Sequence, residues 1–464
     1  MSRSKFLLPM NRLAWILICL VLALPASAQK ESSAKDFEGP WLADGYGLFF
    51  DLGPAGLEVY ELTAVSCIHS QTRPPLAARS SDSALAFSWG NSITILSRTD
   101  DPNILRLHMD WAASDLILHR ADKPPEMCAH KPANSPQENY SIFWQTFAEQ
   151  YAFFGLRKVD WHDVDRQFRP RVTSTTTPAE LLHIFQQMIE PLQDVHTSIE
   201  ARDIKQEFEG SRQDPGHLSD EVWKTAASII ESKYAQGGLR PYCKGRLQFG
   251  MLRNSIAYLR VTTFYDYADG GYANELQCLQ SSLTSMFESA GKINGLVIDV
   301  RLNHGGDDPL GVEIASRLTD KKYLAYSKAA RNNTNLDAPL HLTEQQPVWV
   351  VPAAAPGFKG KVALLIGPDT VSAGETFTMA LMGRKPHVVR IGLNTQGVFS
   401  DVLHRLFPNG WYFSLPNEIY YTADAAAFDA AGVPPDVHVP FFTPEDLKAA
   451  RDAALEEAVR QLTN

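Results

Sequence analysis

Gly295-Leu-Val-Ile-Asp-Val-Arg-Leu-Asn-His-Gly-Gly306 is the stretch whose reading decides the fold. Its first six residues form a short strand-like run, and it closes on a pair of glycines. Val362 to Ile366 repeats the pattern and leads into Thr370-Val-Ser372-Ala-Gly-Glu375, which opens a helical stretch reaching Gly383. Ile256 to Val261 and Val388 to Ile391 are further strand-like runs, and Ala273 to Ser289 is helical in spacing. Strands that alternate with helices predict an α/β core with a sheet at least partly parallel.

Working outward, Trp41 to His119 reads differently. Leu105, Leu107 and Met109 alternate with Arg106 and His108, and short apolar runs are separated by Gly53-Pro54, Gly90-Asn91 and Asp100-Asp101-Pro102-Asn103. Period-2 patterning with frequent turn signals predicts an N-terminal antiparallel β domain within 29–130. Lys123 to Pro136 reads as a linker. A helical segment follows over 135–205, with helices at Phe143 to Phe154 and Pro178 to Leu192, the second capped by Thr176 or Thr177. Residues 201–245 are polar and carry no clear period. The α/β core occupies 245–464 and ends in a helix from Thr443 to Leu462, with Thr443 as cap and Pro444 at its first position.

The chain has 464 residues, 44% hydrophobic and 21% charged, with a formal charge of -10. That length accommodates roughly two to four domains, and an acidic balance excludes a phosphate backbone as general partner. Arg3, Lys5 and Arg12 precede the apolar run Leu13 to Leu24 and then Pro25-Ala-Ser-Ala28, the order of a secretory signal peptide. Cleavage is expected after Ala28, giving a periplasmic or secreted protein without a stable membrane span. The remaining cysteines, Cys67, Cys128, Cys243 and Cys278, permit two disulfides, and sequence order favours 67 with 128 and 243 with 278.

Three segments could carry chemistry. Ser372 falls at a strand-to-helix turn, where free helix-terminal amides favour negative charge; a capping box with Glu375 explains the same residues without chemistry. Gly305-Gly306 follows a strand of the core sheet, where glycine lets backbone amides approach a ligand. Gln193-Asp-Val-His196-Thr197 supplies a histidine after a helix. His304, Asp307 and Asp308 share one loop with no distant matching ligand, so neither a metal nor an organic cofactor is expected.

Taken together, these motifs resemble the S41 serine peptidases, the group of the tail-specific processing proteases, the tricorn core and the interphotoreceptor retinoid-binding proteins. The likeness runs from about 140 to 440 and rests on Asp299-x-Arg301-x-Asn303-x-Gly305-Gly306, Ser372-Ala-Gly-Glu375, Gly432-Val-Pro-Pro435-Asp436 and the tricorn-like Asp194-Val-His196-Thr197. The resemblance implies Ser372 as nucleophile, His196 as general base, the amides of Ala373 and of Gly305 or Gly306 as oxyanion donors, and a peptide or protein substrate. Asp429 stands where that branch has a glutamate, three residues before the glycine of the closing motif. Thr395-Gln-Gly397 is followed by Val398 in place of the processing proteases' lysine, Val195 stands where the tricorn core has a serine, and no segment reads as a PDZ domain. Two other readings have distinct requirements. A catalytically inactive peptide- or ligand-binding protein on the same fold needs no nucleophile. An α/β-hydrolase using Ser372 with Asp436 and His438 lacks the Gly-x-Ser-x-Gly turn.

Overall fold

The computed structural model describes residues 35–75, 83–212, 216–333 and 335–464. The expected leader, its cleavage site and Cys19 lie outside the described residues.

Eight antiparallel strands between Gly39 and Arg120 form one sheet, in the spatial order Cys67–Arg73, Gly56–Leu62, Leu48–Gly53, Gly39–Ala43, Leu116–Arg120, Ile104–Met109, Ser92–Arg98 and Ala84–Trp89. A bridge between Pro75 and Phe87 joins the two outer strands, so the sheet curls back on itself and its open edges meet. Trp41, Phe50, Leu57, Leu96, Leu107 and Leu118 fill its interior. The alternation seen at 105–109 is the register of this sheet: Leu105 and Leu107 are buried while Arg106 is exposed. Cys67 is bonded to Cys128 and so ties the sheet to the turn at Glu126–Ala129. Cys243 is bonded to Cys278, the pairing that sequence order favoured.

The first helix after the linker begins earlier than its apolar spacing suggested. It runs Pro136–Gln150 and is capped by the Ser135 side chain, which accepts from the amide of Glu138. The helix Pro178–Ile189 carries a full capping box in which Thr177 and Glu180 bond each other's backbone. The segment without clear period resolves into strands Ser198–Ala201 and Gln206–Glu209, helix Asp220–Ile229 and strand Gln236–Tyr242. Phe143, Phe147, Phe185, Phe407, Trp411 and Phe413 pack into one aromatic cluster around these helices.

The core sheet has seven strands, ordered Gln236–Tyr242, Leu247–Leu252, Ile256–Val261, Gly295–Asp299, Val362–Ile366, Val388–Gly392 and Val437–His438. Neighbours among the first three are antiparallel, and from Ile256–Val261 onward the neighbours run parallel. Both faces are covered. Leu259, Val261, Leu296, Ile298 and Leu364 meet the helices Tyr272–Ser289, Asp308–Ser316 and Ala373–Met382. Tyr258, Val297, Ala363 and Leu365 meet Ala454, Leu455 and Ala458 of the last helix. Double coverage is why Val362–Ile366 reads as an unbroken apolar run and Gly295–Asp299 as one up to its final aspartate.

The tail is two helices rather than one. Thr443 caps Pro444–Lys448 with a capping box, and a new helix Ala453–Thr463 starts at Asp452. The break has a physical cause: the Asp452 carboxylate caps the amide of Leu455 and also binds Arg301. Arg301 is fully buried between Asp299 and Asp452, with Phe441 and Phe442 against its guanidinium. The Asp-x-Arg pair therefore anchors the last helix to the sheet. A buried cation held by two carboxylates is costly to break, because removing one partner strands the other charge.

Candidate functional site

Adjacent parallel strands end together, so Gly295–Asp299 and Val362–Ile366 deliver their following loops to one place. Leu302-Asn303 pairs with Asp369-Thr370 in a second, short parallel ladder. The Thr370 hydroxyl donates to the Val300 carbonyl at 2.7 Å, and the Val371 amide to the Asn303 carbonyl at 2.9 Å. These bonds hold the glycine loop beside Ser372.

Gly305 has φ +80°, and a Cβ there would stand 2.6 Å from the Cβ of Ser372 and 3.1 Å from the amide nitrogen of Ala373. Only glycine fits this contact. The Gly305 amide donates to Asn303 Oδ1 at 3.0 Å, and its carbonyl accepts from the amide of Phe264 and the hydroxyl of Thr263. Gly306, the next residue, is exposed.

Ser372 precedes the helix Ala373–Met382 with φ 54° and ψ -121°, and its side chain makes no capping hydrogen bond. The capping box open to Ser372 and Glu375 is not formed. Glu375, fully buried, turns instead to the amides of Gly397 and Val398 at 2.6 and 2.7 Å. Burial pushes its carboxyl up to about 7 against the opposing pull of the Thr395 hydroxyl and these amides. The Val398 carbonyl in turn accepts the Ser372 amide at 3.0 Å. A non-glycine residue at this dihedral is strained, and such strain persists where surrounding bonds over-determine it. The hydroxyl is left at the start of a helix whose first amide, that of Ala373, has no carbonyl partner within the helix.

His196 lies on the loop joining the helical region to strand Ser198–Ala201. Its amide donates to Asp194 Oδ1 at 3.1 Å, and its carbonyl accepts from the Ser414 hydroxyl at 3.0 Å. Asp194 is buried and accepts from the Tyr151 hydroxyl at 3.0 Å, with Arg157 3.6 Å away. Burial lowers the imidazole pKa; Asp194, Asp401 and the backbone of Ser400 oppose the shift, and His404 adds to it. Its Nδ1 is buried without a hydrogen-bond partner. Ser372 and His196 thus contact one segment: Val398 holds the amide of the first, and Ser400 faces the ring of the second.

Asp429 is the acid that the tricorn-like resemblance singles out. It is buried, its Oδ2 has no partner, and the charges that bear on it are Glu375, Asp194 and Arg157. Burial first, and then Glu375 and Asp194, raise its carboxyl well above the usual range. The acids whose charge bears on His196 are Asp194 and Asp401. Asp401 carried no sequence signal, since it lies in a loop without a recognisable pattern. Asp436 accepts from Arg390 and pairs with His387, and His438 is exposed, so these two do not pair with each other as a hydrolase reading requires. Asp308 accepts from Thr376 and Tyr326 at 2.6 and 2.8 Å.

Residues 255–439 match peptidase family S41, and residues 132–190 match the tricorn protease C1 domain. Over 255–439 the chain carries a peptidase S41 domain. It is 26% identical over 199 residues to carboxyl-terminal-processing peptidase 2 of Arabidopsis thaliana, covering 42% of this chain and 34% of that protein. It is 23% identical over 202 residues to a carboxy-terminal-processing protease of Bartonella bacilliformis, covering 42% of each. The matched region is well under half of either relative's length. Among solved structures, a candidate peptidase from Parabacteroides merdae superposes with a TM-score of 0.58 at 23% identity, over 72% of this chain and 98% of that one. Mature CPAF complexed with lactacystin gives 0.52 at 12% identity, over 71% and 97%. These likenesses establish the S41-type α/β fold. No helix among the described residues is long and apolar enough to cross a membrane.

Proposed function

We propose that the chain is an exported serine-type endopeptidase that cleaves peptide bonds through an acyl-enzyme. The observation that carries this reading is Ser372: a strained residue at a helix start, its hydroxyl unused in capping, pressed against a glycine that no other residue can replace. In this reading the Ser372 Oγ attacks the peptide carbonyl while His196 takes its proton, and the imidazolium returns that proton to the leaving amine. Lowering of the imidazole pKa keeps the ring neutral and ready to accept at neutral pH. Asp194 stabilises the imidazolium once formed, and Asp429 contributes through Asp194 and Arg157.

The oxyanion forms beside the Ala373 amide. Because the Gly305 amide is already given to Asn303 Oδ1, the second donor in this proposal is the amide of exposed Gly306. Two disulfides fit an oxidising compartment, as does the leader-like N-terminus. The test is a fluorophosphonate probe followed by peptide mapping. An adduct on Ser372 in the wild-type protein, lost in His196→Ala, is expected. A folded protein that acquires no adduct defeats the peptidase reading in favour of a ligand-binding S41 fold.

A further inference from the structure

Lys328 is an anomaly in its strand. Tyr323–Ala330 is largely buried, and Lys328 is only 3% exposed in it, facing Asp401, Glu418 and Asp308. Its ammonium is bonded to Asp401 Oδ2 and lies 3.1 Å from Glu418 Oε1. Burial works against the charged lysine, and the three acids more than offset it.

Each acid leads to a different part of the proposed centre. Asp401 follows Ser400, whose backbone faces the His196 ring, and the Asp401 charge bears on that ring. Asp308 lies two residues beyond Gly306 and accepts from Thr376, one turn along the helix that begins after Ser372. Glu418 accepts from the hydroxyl of Tyr46, on the turn between strands Gly39–Ala43 and Leu48–Gly53 of the N-terminal sheet, and from the Asp401 amide. One ammonium therefore joins the loop of the base, the oxyanion loop, the nucleophile helix and the N-terminal sheet.

We propose that Lys328 is a positioning residue of the peptidase centre, neutralising Asp401 so that the His196 imidazole stays uncharged and ready to accept the serine proton. The inference rests on the serine-peptidase reading. The charged and titratable groups around the ring are Asp194 on its own loop, Asp401 beside the Ser400 backbone, and His404 on strand Val402–Leu406. Removing the ammonium leaves the field of Asp401 uncompensated, and a negative field favours the imidazolium.

The experiment is an NMR titration of ¹³C-labelled histidine in the full chain, set beside the pH profile of kcat/KM for any cleaved peptide. In Lys328→Met the His196 midpoint is expected to rise by about one unit, the scale of one charge acting through a protein interior. The acid limb of kcat/KM should move with it. Lys328→Arg restores both, and Lys328→Met with Asp401→Asn returns the midpoint towards wild type. A folded Lys328→Met protein with an unmoved His196 midpoint overturns the proposal. Should that variant fail to fold, Asp401→Asn alone decides: a lowered midpoint supports the proposal and an unchanged one overturns it. Because the titration needs no turnover, a shifted midpoint in a protein without activity defeats the peptidase reading and leaves the electrostatic link standing.

Discussion

Ser372 can be read as a cap or as a strained nucleophile, and stability measurements separate the two by sign. A capping serine replaced by alanine costs about 0.5–2 kcal/mol, and replaced by glycine a few tenths. The structure gives a different expectation. With φ 54° and ψ -121° and no capping bond, Ser372 loses nothing when its hydroxyl is removed, so Ser372→Ala should match wild type within about 0.5 kcal/mol. Glycine alone tolerates that dihedral. Relief of about 1–3 kcal/mol of backbone strain, set against about 0.4–1 kcal/mol of added chain entropy in the unfolded state, makes Ser372→Gly more stable than wild type by roughly 1 kcal/mol. With an m-value of about 4 kcal/mol/M in urea for a chain of this size, that is a rise in midpoint of roughly 0.25 M. Urea denaturation followed by tryptophan fluorescence, at one pH and with unchanged m-values, reads it directly. Both variants should be inactive. A Ser372→Ala protein about 1 kcal/mol less stable than wild type, or a Ser372→Gly protein no more stable than it, refutes the strained-nucleophile argument.

Gly305→Ala puts a Cβ 2.6 Å from the Cβ of Ser372 at φ +80°. Labelling of Ser372 by a fluorophosphonate should fall at least tenfold, with a loss of about 1–3 kcal/mol in the same urea assay from the strained dihedral; normal labelling contradicts the packing described here. Asp307, Asp308 and Glu375 each have carboxyls raised to about 7, with burial the largest cause in all three. A raised folded pKa gives stability that is full below the unfolded value and lost as pH climbs through the folded one. The urea midpoint should therefore be higher at pH 5 than at pH 7.5, and Glu375→Gln should flatten that slope by up to ~1.4 kcal/mol per pH unit. An unchanged slope in Glu375→Gln would show that Glu375 is ionised where it sits.

The α/β core was legible because its signal is local. Val362 to Ile366 is apolar throughout, and Gly295 to Val300 apart from Asp299, because helices cover both faces of the sheet, and a parallel pair sends both following loops to one end. Helix ends were less legible. Apolar spacing missed the polar first turn of Pro136–Gln150, and it carried the tail through Asp452, where a buried ion pair to Arg301 starts a new helix. Ser372, Gly305 and Gly306 lie on short loops after adjacent strands, so the motif and its geometry coincide. His196 also came from a local motif, but the charges around its ring did not.

Lys328, Asp401, Glu418 and Tyr46 were beyond reach for a single reason: they are held together by pairings between segments far apart in sequence. Strand Tyr323–Ala330 pairs with Glu418–Tyr421, which sets Lys328 opposite Tyr420 and brings Glu418 to the end of the same ladder. The N-terminal sheet then reaches Glu418 through Tyr46, and Asn417 bonds the Gly45 carbonyl. The only trace in the sequence is a lysine in a strand that otherwise buries small and aromatic residues. A buried lysine needs acids around it, and those acids need the lysine. Such a cluster forms only when the sheet, the 400–401 loop and the N-terminal domain are all in place. In the proposed centre, Lys328 ties the charge state of His196 to a domain that contributes no residue to the proposed proton transfer.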